Sequence, residues 1–189
     1  MKKVVIVYGW EGYPEECWFP WLKKELEGRG FEVYIPEMPN PEAPKIGAWV
    51  DYLKKNIDKV DENTYFVCHS TGCQAVIRFL ENLTVKVGGC IFVGGWFNLL
   101  PASYEDEEDK KIAKPWLQTP IDFDKVKKNC SKFVAIFSDN DPFVPLSDAD
   151  LFKEKLNAKT IIEKNKGHLG DDANIKKLPI VLHEILKIK

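Results

Sequence analysis

The chain has 189 residues, a length that predicts one domain able to bury a core without metal or disulfide staples. Its residues are 44% hydrophobic and 30% charged, a soluble globular composition, and 27 Lys and Arg against 29 Asp and Glu leave a net charge of −2. That balance excludes the basic excess expected of a protein for nucleic acid or an anionic lipid surface. The longest apolar stretch, Val87–Phe97, holds four glycines and ends at Asn98, well short of the ~20 residues of a membrane span. Near the N-terminus, the apolar run Val4–Trp10 is soon followed by Glu11, Glu15 and Glu16, with no small-x-small cleavage site. Five cysteines are an odd number without a CxxC pair, and with three histidines they assemble no zinc spacing. The expectation is a reduced, cytoplasmic, single-domain protein over residues 1–189, with no metal and no cofactor.

In chain order, Val4–Tyr8 predicts a first strand. Trp18, Trp21, Leu22 and Leu26 then fall at helical spacing, stopped by Gly28 and Gly30. A second strand is predicted at Phe31–Ile35, followed by a helix carrying Ile46, Trp49, Val50, Leu53 and Ile57. A third strand at Tyr65–Cys68 leads into a helix with Ala75, Val76, Phe79, Leu80 and Leu83, and a fourth strand follows at Cys90–Val93. The stretch Asn98–Thr119 shows no clear period, and its charge run Glu105–Lys111 reads as a solvated loop or short helix face. A fifth strand at Phe133–Phe137, a helix near Ser147–Leu156, a sixth strand at Thr160–Glu163 and a helix near Asn174–Ile188 complete the chain. Pro179 is expected in the first turns of that last helix or at a kink. Near-continuous apolar strands alternating with helices predict a doubly wound α/β fold around a parallel sheet.

In such sheets function collects at the carboxyl ends of the strands. Those ends carry Gly9-Trp10-Glu11-Gly12, His69-Ser70-Thr71-Gly72, Asp139-Asn140-Asp141-Pro142 and Gly167-His168. Neither glycine-rich nucleotide signature occurs. A serine hydroxyl needs a base to become a nucleophile, and an imidazole needs a carboxylate to hold its tautomer. Ser70, Asp141 and His168 supply these groups in the order Ser…Asp…His. Cys68-His69-Ser70-Thr71-Gly72 has the strand-to-helix setting of a nucleophile elbow, with Cys68 standing where the first glycine of GxSxG belongs.

Several neighbours compete for these roles. The spacing before Val144-Pro145 favours Asp141 over Asp139 as the acid. His69 is expected to point away from Ser70 and pack, and His183, within the last helix, to lie on the surface or in satisfied packing. Asp171 and Asp172 read as solvated loop residues, and Cys68 and Cys73 as buried packing. Trp10, Trp96 and Trp116 fall in strand-end loops and could line a pocket. Pro115-Trp116 is the first place to look for substrate contacts, so Trp116 is the expected substrate-binding residue.

Asp141-Pro142-Phe143-Val144-Pro145 and Gly167-His168 resemble the acid and histidine loops of α/β-hydrolases. With Trp21-Leu22-Lys23-Lys24-Glu25-Leu26, His69-Ser70-Thr71-Gly72, Pro115-Trp116 and Lys127-Lys128-Asn129-Cys130, the chain resembles the retinoblastoma-binding-protein-nine-like small serine hydrolases over most of its length. The resemblance implies a minimal α/β-hydrolase fold, strand order 2-1-3-4-5-6, with helices on both faces and no cap domain. It implies Ser70 as nucleophile, His168 as base and Asp141 as orienting acid. It also implies an oxyanion hole from the backbone N–H of Thr71 and of Trp10, or Glu11 in place of Trp10. The family's loop after the first strand often opens His-Gly, where this chain has Tyr8-Gly9. The expected substrate is a small carboxylic ester, with amides or thioesters as variants. The rival reading is a protein-interaction module with a vestigial site. Its partner is unknown, because the Leu-x-Cys-x-Glu pattern that would contact a retinoblastoma-type pocket is absent.

Overall fold

A computed structural model describes residues 1–189. The six apolar runs form β1 (Lys3–Val7), β2 (Glu32–Tyr34), β3 (Thr64–His69), β4 (Gly89–Val93), β5 (Phe133–Ser138) and β6 (Lys159–Glu163). They make one sheet in the order β2-β1-β3-β4-β5-β6, and every neighbouring pair is parallel. The helices are α1 (Phe19–Glu27), α2 (Ile46–Asn56), α3 (Thr71–Glu81), α4 (Glu107–Gln118), α5 (Phe123–Asn129), α6 (Asp148–Leu156) and α7 (Pro179–Ile188). α1 packs with α7 on one face, while α2, α3, α5 and α6 follow one another across the other. Layers on both faces explain why β3, β4 and β5 are buried along their whole length and read as unbroken apolar runs.

α3 is buried on every side from Thr71 to Leu80. An all-round buried helix is the centre of the packing, and its first turn is therefore held firmly. The chain runs outward from β1 to β2 in one direction and from β3 to β6 in the other. The crevice where that order reverses lies at the carboxyl ends of β1 and β3, the place where such sheets bind ligands.

Three stretches depart from the sequence reading. The stretch read as irregular, with its charge run as a solvated loop or short helix face, contains a 3-10 turn at Pro101–Ser103 and the twelve-residue α4, whose cap and first turns carry most of that run. Asp106 caps α4 by accepting the N–H of Glu108 and Asp109, and Glu107, Glu108 and Asp109 complement the positive end of the helix dipole. Pro115 lies inside this helix and hides its period, and the helix ends one turn later. Its last carbonyls are met by the buried guanidinium of Arg78, which donates to Trp116, Thr119 and Pro120. α5 was not marked by its spacing; Asp122 caps it by accepting the Lys125 N–H. The last helix begins at Pro179 rather than near Asn174, because a 3-10 turn at Asp171–Ala173 ends in a left-handed Asn174. No helix is long and apolar enough to cross a membrane.

Candidate active site

Ser70 alone joins β3 to α3, with φ 51° and ψ −125°. That torsion disfavours a β-carbon, so the turn must be fixed from outside. The Ser70 N–H donates to the Val93 carbonyl at 3.0 Å, and the Ser70 carbonyl accepts the Cys73 N–H at 3.0 Å. Two glycines let the surrounding backbone close in. A β-carbon at Gly72 would collide with the carbonyls of Val7 and Tyr8, and one at Gly9 would lie 2.7 Å from the Ser70 β-carbon. Cys68 and Cys73 are fully buried, and burial pushes both thiols up, so neither is a reactive thiolate.

The loops after β5 and β6 bring a carboxylate and an imidazole to the same end of the sheet. His168 Nδ1–H donates to Asp141 Oδ2 at 2.7 Å, with the two side chains 10% and 3% exposed. The other oxygen of Asp141 accepts the N–H of Phe143 at 2.9 Å and of Val144 at 3.0 Å, which fixes the carboxylate plane. Asp139, the rival acid, instead accepts the Asn165 N–H at 2.8 Å. Asn140 accepts the Gly167 N–H at 2.9 Å, and Ser138 Oγ accepts that of Lys166 at 2.9 Å. Three consecutive residues thus bolt the acid loop to the histidine loop.

The histidine loop is also tied from its other side. His69 Nε2–H donates to the His168 carbonyl at 2.8 Å, and Trp18 Nε1–H donates to that of Leu169 at 2.8 Å. His69 packs edge-on to Trp18 and Phe19 of the α1 side. Burial, assisted by the nearby His168, lowers its pKa to about 4, so it is a neutral donor at neutral pH. Asp172 corrects an expectation. Far from being merely solvated, its carboxylate accepts the His168 N–H at 2.7 Å and the Gly170 N–H at 3.3 Å. Asp171 pairs with Lys176 at 2.6 Å, and His183 is exposed on α7.

The loop after β1 separates the two candidates for the second oxyanion donor. The Glu11 N–H is spent on the Pro41 carbonyl at 2.8 Å, whereas the N–H groups of Trp10 and Thr71 donate to no backbone carbonyl. Pro41 lies in Pro39–Pro44, where prolines supply carbonyls but no N–H. Indole N–H groups fill the deficit: Trp49 donates to Pro39, Trp10 to Glu42 and Trp116 to Pro44, each at 2.9 Å. Trp116 is therefore a correction. It is 2% exposed, packs edge-on against Trp49 and lines no part of the cleft beside Ser70. Its placement in α4 turns the ring inward.

Ser70 and His168 sit between two connected halves of an open cleft. One half, about 230 Å³, is lined by Trp10, Thr71, Trp96, Leu99, Ala102 and Phe143 among others. The other, about 340 Å³, adds Gly9, Glu16, His69, Asp171 and Asp172. A depression of similar size around Lys3, Glu32 and Asp61 lies at the amino ends of the strands and contains no nucleophile. The wall bearing Trp96 and Leu99 is held by Asp148, a fully buried carboxylate that accepts the N–H of Phe97 and Asn98 and the Asn98 side-chain amide. No group of three His, Cys, Asp or Glu side chains is arranged to hold a metal ion. The bonding of Asp148 at the start of α6 and of Asp172 in the 3-10 turn escaped sequence reasoning because the backbone partners of a carboxylate leave no periodic or motif signal.

A parallel sheet with a strained strand-to-helix serine at its switch point, and a His–Asp pair on the neighbouring loops, defines an α/β-hydrolase architecture. The chain belongs to the serine hydrolase family, which it matches over residues 4–187. It is 34% identical to the hydrolase-named YdeN protein of Bacillus subtilis (strain 168) over 182 residues, covering 95% of this chain and 92% of that one. It is 29% identical to serine hydrolase RBBP9 of Rattus norvegicus over 189 residues, covering 98% and 92%. The crystal structure of the B. subtilis ydeN gene product superposes with a TM-score of 0.90 at 32% identity, over 100% of this chain and 98% of that one. The protein is thus a hydrolase enzyme of this family, with the minimal fold and strand order expected.

Proposed function

We propose that this serine hydrolase cleaves small carboxylic esters through an acyl-enzyme on Ser70. One observation carries the reading: the strained Ser70 and His168, whose Nδ1–H is held by the buried Asp141 carboxylate, line one cleft, beside two backbone N–H groups without backbone acceptors. Asp141 keeps the Nδ1 proton in place, leaving His168 Nε2 free to accept the Ser70 proton as Oγ attacks the carbonyl carbon. The Trp10 and Thr71 N–H groups then stabilise the oxyanion, a contribution on the order of 100–1000-fold in rate per donor. His168 returns the proton to the departing alcohol, and water repeats the sequence to release the acid.

The half of the cleft beside Trp96 and Leu99 is small. Its volume of about 230 Å³ is below the ~300–1,000 Å³ of sites for drug-sized ligands, and no inserted domain covers it. Short acyl groups are the fitting substrates, and hydrolysis should decline along a C2–C16 ester series. The odd count of cysteines without a CxxC pair supports a reducing, cytoplasmic setting. The direct test is labelling by a fluorophosphonate probe. Label mapping to Ser70, lost in Ser70→Ala and His168→Ala, is the expected result. A folded protein that stays unlabelled would overturn the mechanism and favour an interaction module.

A further inference from the structure

The glycine pair after β4 does more than turn the chain. Gly94 has φ 54°, and a β-carbon there would lie 3.1 Å from the His168 imidazole. One on Gly95 would meet the Phe152 ring at 2.8 Å and the Cys73 side chain at 3.0 Å. The backbone thus passes against His168 and then between α3 and α6. There it is gripped from both sides. Gln74 of α3 donates its side-chain N–H to the Trp96 carbonyl at 3.0 Å, and Asp148 of α6 accepts the N–H groups of Phe97 and Asn98. The Phe143 carbonyl closes the far end by accepting the Leu100 N–H at 2.8 Å and the Ser103 hydroxyl at 2.9 Å. Trp96, Leu99, Ala102 and Phe143 all lie within this frame or are bonded to it, and together with Trp10 they supply the apolar lining of their half of the cleft.

Gln74 is the member of this frame that packing alone does not explain. It is 1% exposed, and its Oε1 has no hydrogen-bond partner in the protein. An unpaired buried acceptor costs stability that an apolar side chain of equal length avoids. The amide's one bond runs to the backbone of Trp96, a residue that is itself buried and still borders the cleft beside Ser70. A wall residue anchored at its carbonyl has little freedom to retreat before a longer chain.

We infer that Gln74 is a positioning residue for substrate selection. By fixing the Trp96 carbonyl it keeps the Trp96–Leu99 wall in place, and that wall excludes long alkyl groups from its half of the cleft. This deepens the ester-hydrolase reading and rests on it.

The test uses two ester series on the full chain, p-nitrophenyl acyl esters and alkyl acetates, which lengthen the substrate on either side of the scissile bond. In the wild type, kcat/KM should fall about tenfold between butyl and octyl chains in at least one series. Gln74→Met keeps the length of the side chain but removes both the donor and the unpaired oxygen, so the fold should hold, as thermal unfolding will show; Gln74→Leu is the second variant. Either should shrink the discrimination about threefold or more, mainly through KM for the longer esters rather than kcat. Trp96→Leu should relax the profile in the same direction, and adding Gln74→Met to it should change little further, because the two act through one wall. Asn129→Ala removes another buried amide, which donates to the Leu80 and Leu83 carbonyls past the other end of α3, and should cost stability while leaving the profile intact. A flat wild-type profile, a Gln74→Met profile parallel to the wild type, or an equal change in Asn129→Ala overturns the assignment while Ser70 labelling and short-ester turnover stand. Absence of both labelling and turnover in the wild type instead overturns the nucleophile on which it rests.

Discussion

Asp141→Asn separates orientation from mere packing. In the wild type one carboxylate oxygen accepts the N–H groups of Phe143 and Val144, and the other accepts His168 Nδ1–H at 2.7 Å. An asparagine retains one acceptor oxygen, and it suits the two backbone donors. Its NH₂ group then faces His168 Nδ1 and can only donate. The imidazole must shift its proton to Nε2, the atom that receives the Ser70 proton in the proposed mechanism. The fold is unaltered while the base is disabled, and the same exchange in serine-protease triads lowers kcat about 10⁴-fold, ~5.5 kcal/mol of barrier. The assay is kcat on a short p-nitrophenyl ester, with thermal unfolding measured alongside. Asp139→Asn is the control, since an amide oxygen can still accept the Asn165 N–H. Asp141→Asn retaining activity within tenfold of wild type, or Asp139→Asn losing as much, would refute the argument.

Gly72→Ala should destabilise the fold by about 1–3 kcal/mol or more and lower activity, because the methyl meets the Val7 and Tyr8 carbonyls; denaturant unfolding reads this out. Trp116→Phe should cost about 1–3 kcal/mol through the Pro44 carbonyl left without its donor, with kcat/KM per folded molecule nearly unchanged; a large KM effect would return Trp116 to the substrate site. His69 imposes a pH dependence on stability. Its folded pKa of about 4 lies below the ordinary 6.5, so the unfolded chain binds the extra proton. Stability is therefore complete above pH 6.5 and falls as pH drops towards 4, by up to about 3 kcal/mol. His69→Gln should flatten that slope in unfolding curves taken across pH 4–7.

What the sequence disclosed depended on the range of the interaction. Ser70, Asp141 and His168 each end or closely follow an apolar run, and a parallel sheet brings all such ends to one edge, so chain order alone locates them. Trp116 defeated the same logic. Pro115 disguises its helix, and the partner that turns its ring inward is a carbonyl at Pro44, distant in the chain. The choice between Trp10 and Glu11 was undecidable for a related reason. It depends on which backbone N–H the Pro41 carbonyl accepts, and backbone donors have no side-chain signature. Asp172 looked like one of two adjacent loop acids, and only a backbone folded around it distinguishes it from Asp171.

The torsion at Ser70 has a consequence for the whole molecule. A residue with a β-carbon held at φ 51° and ψ −125° costs on the order of 1–3 kcal/mol. Glycine meets no such penalty, although its freer unfolded chain offsets about 0.5–1 kcal/mol. Ser70→Gly should therefore yield a sturdier and inert protein. On the proposed mechanism the nucleophile occupies a site that a screen for heat resistance alone would erase.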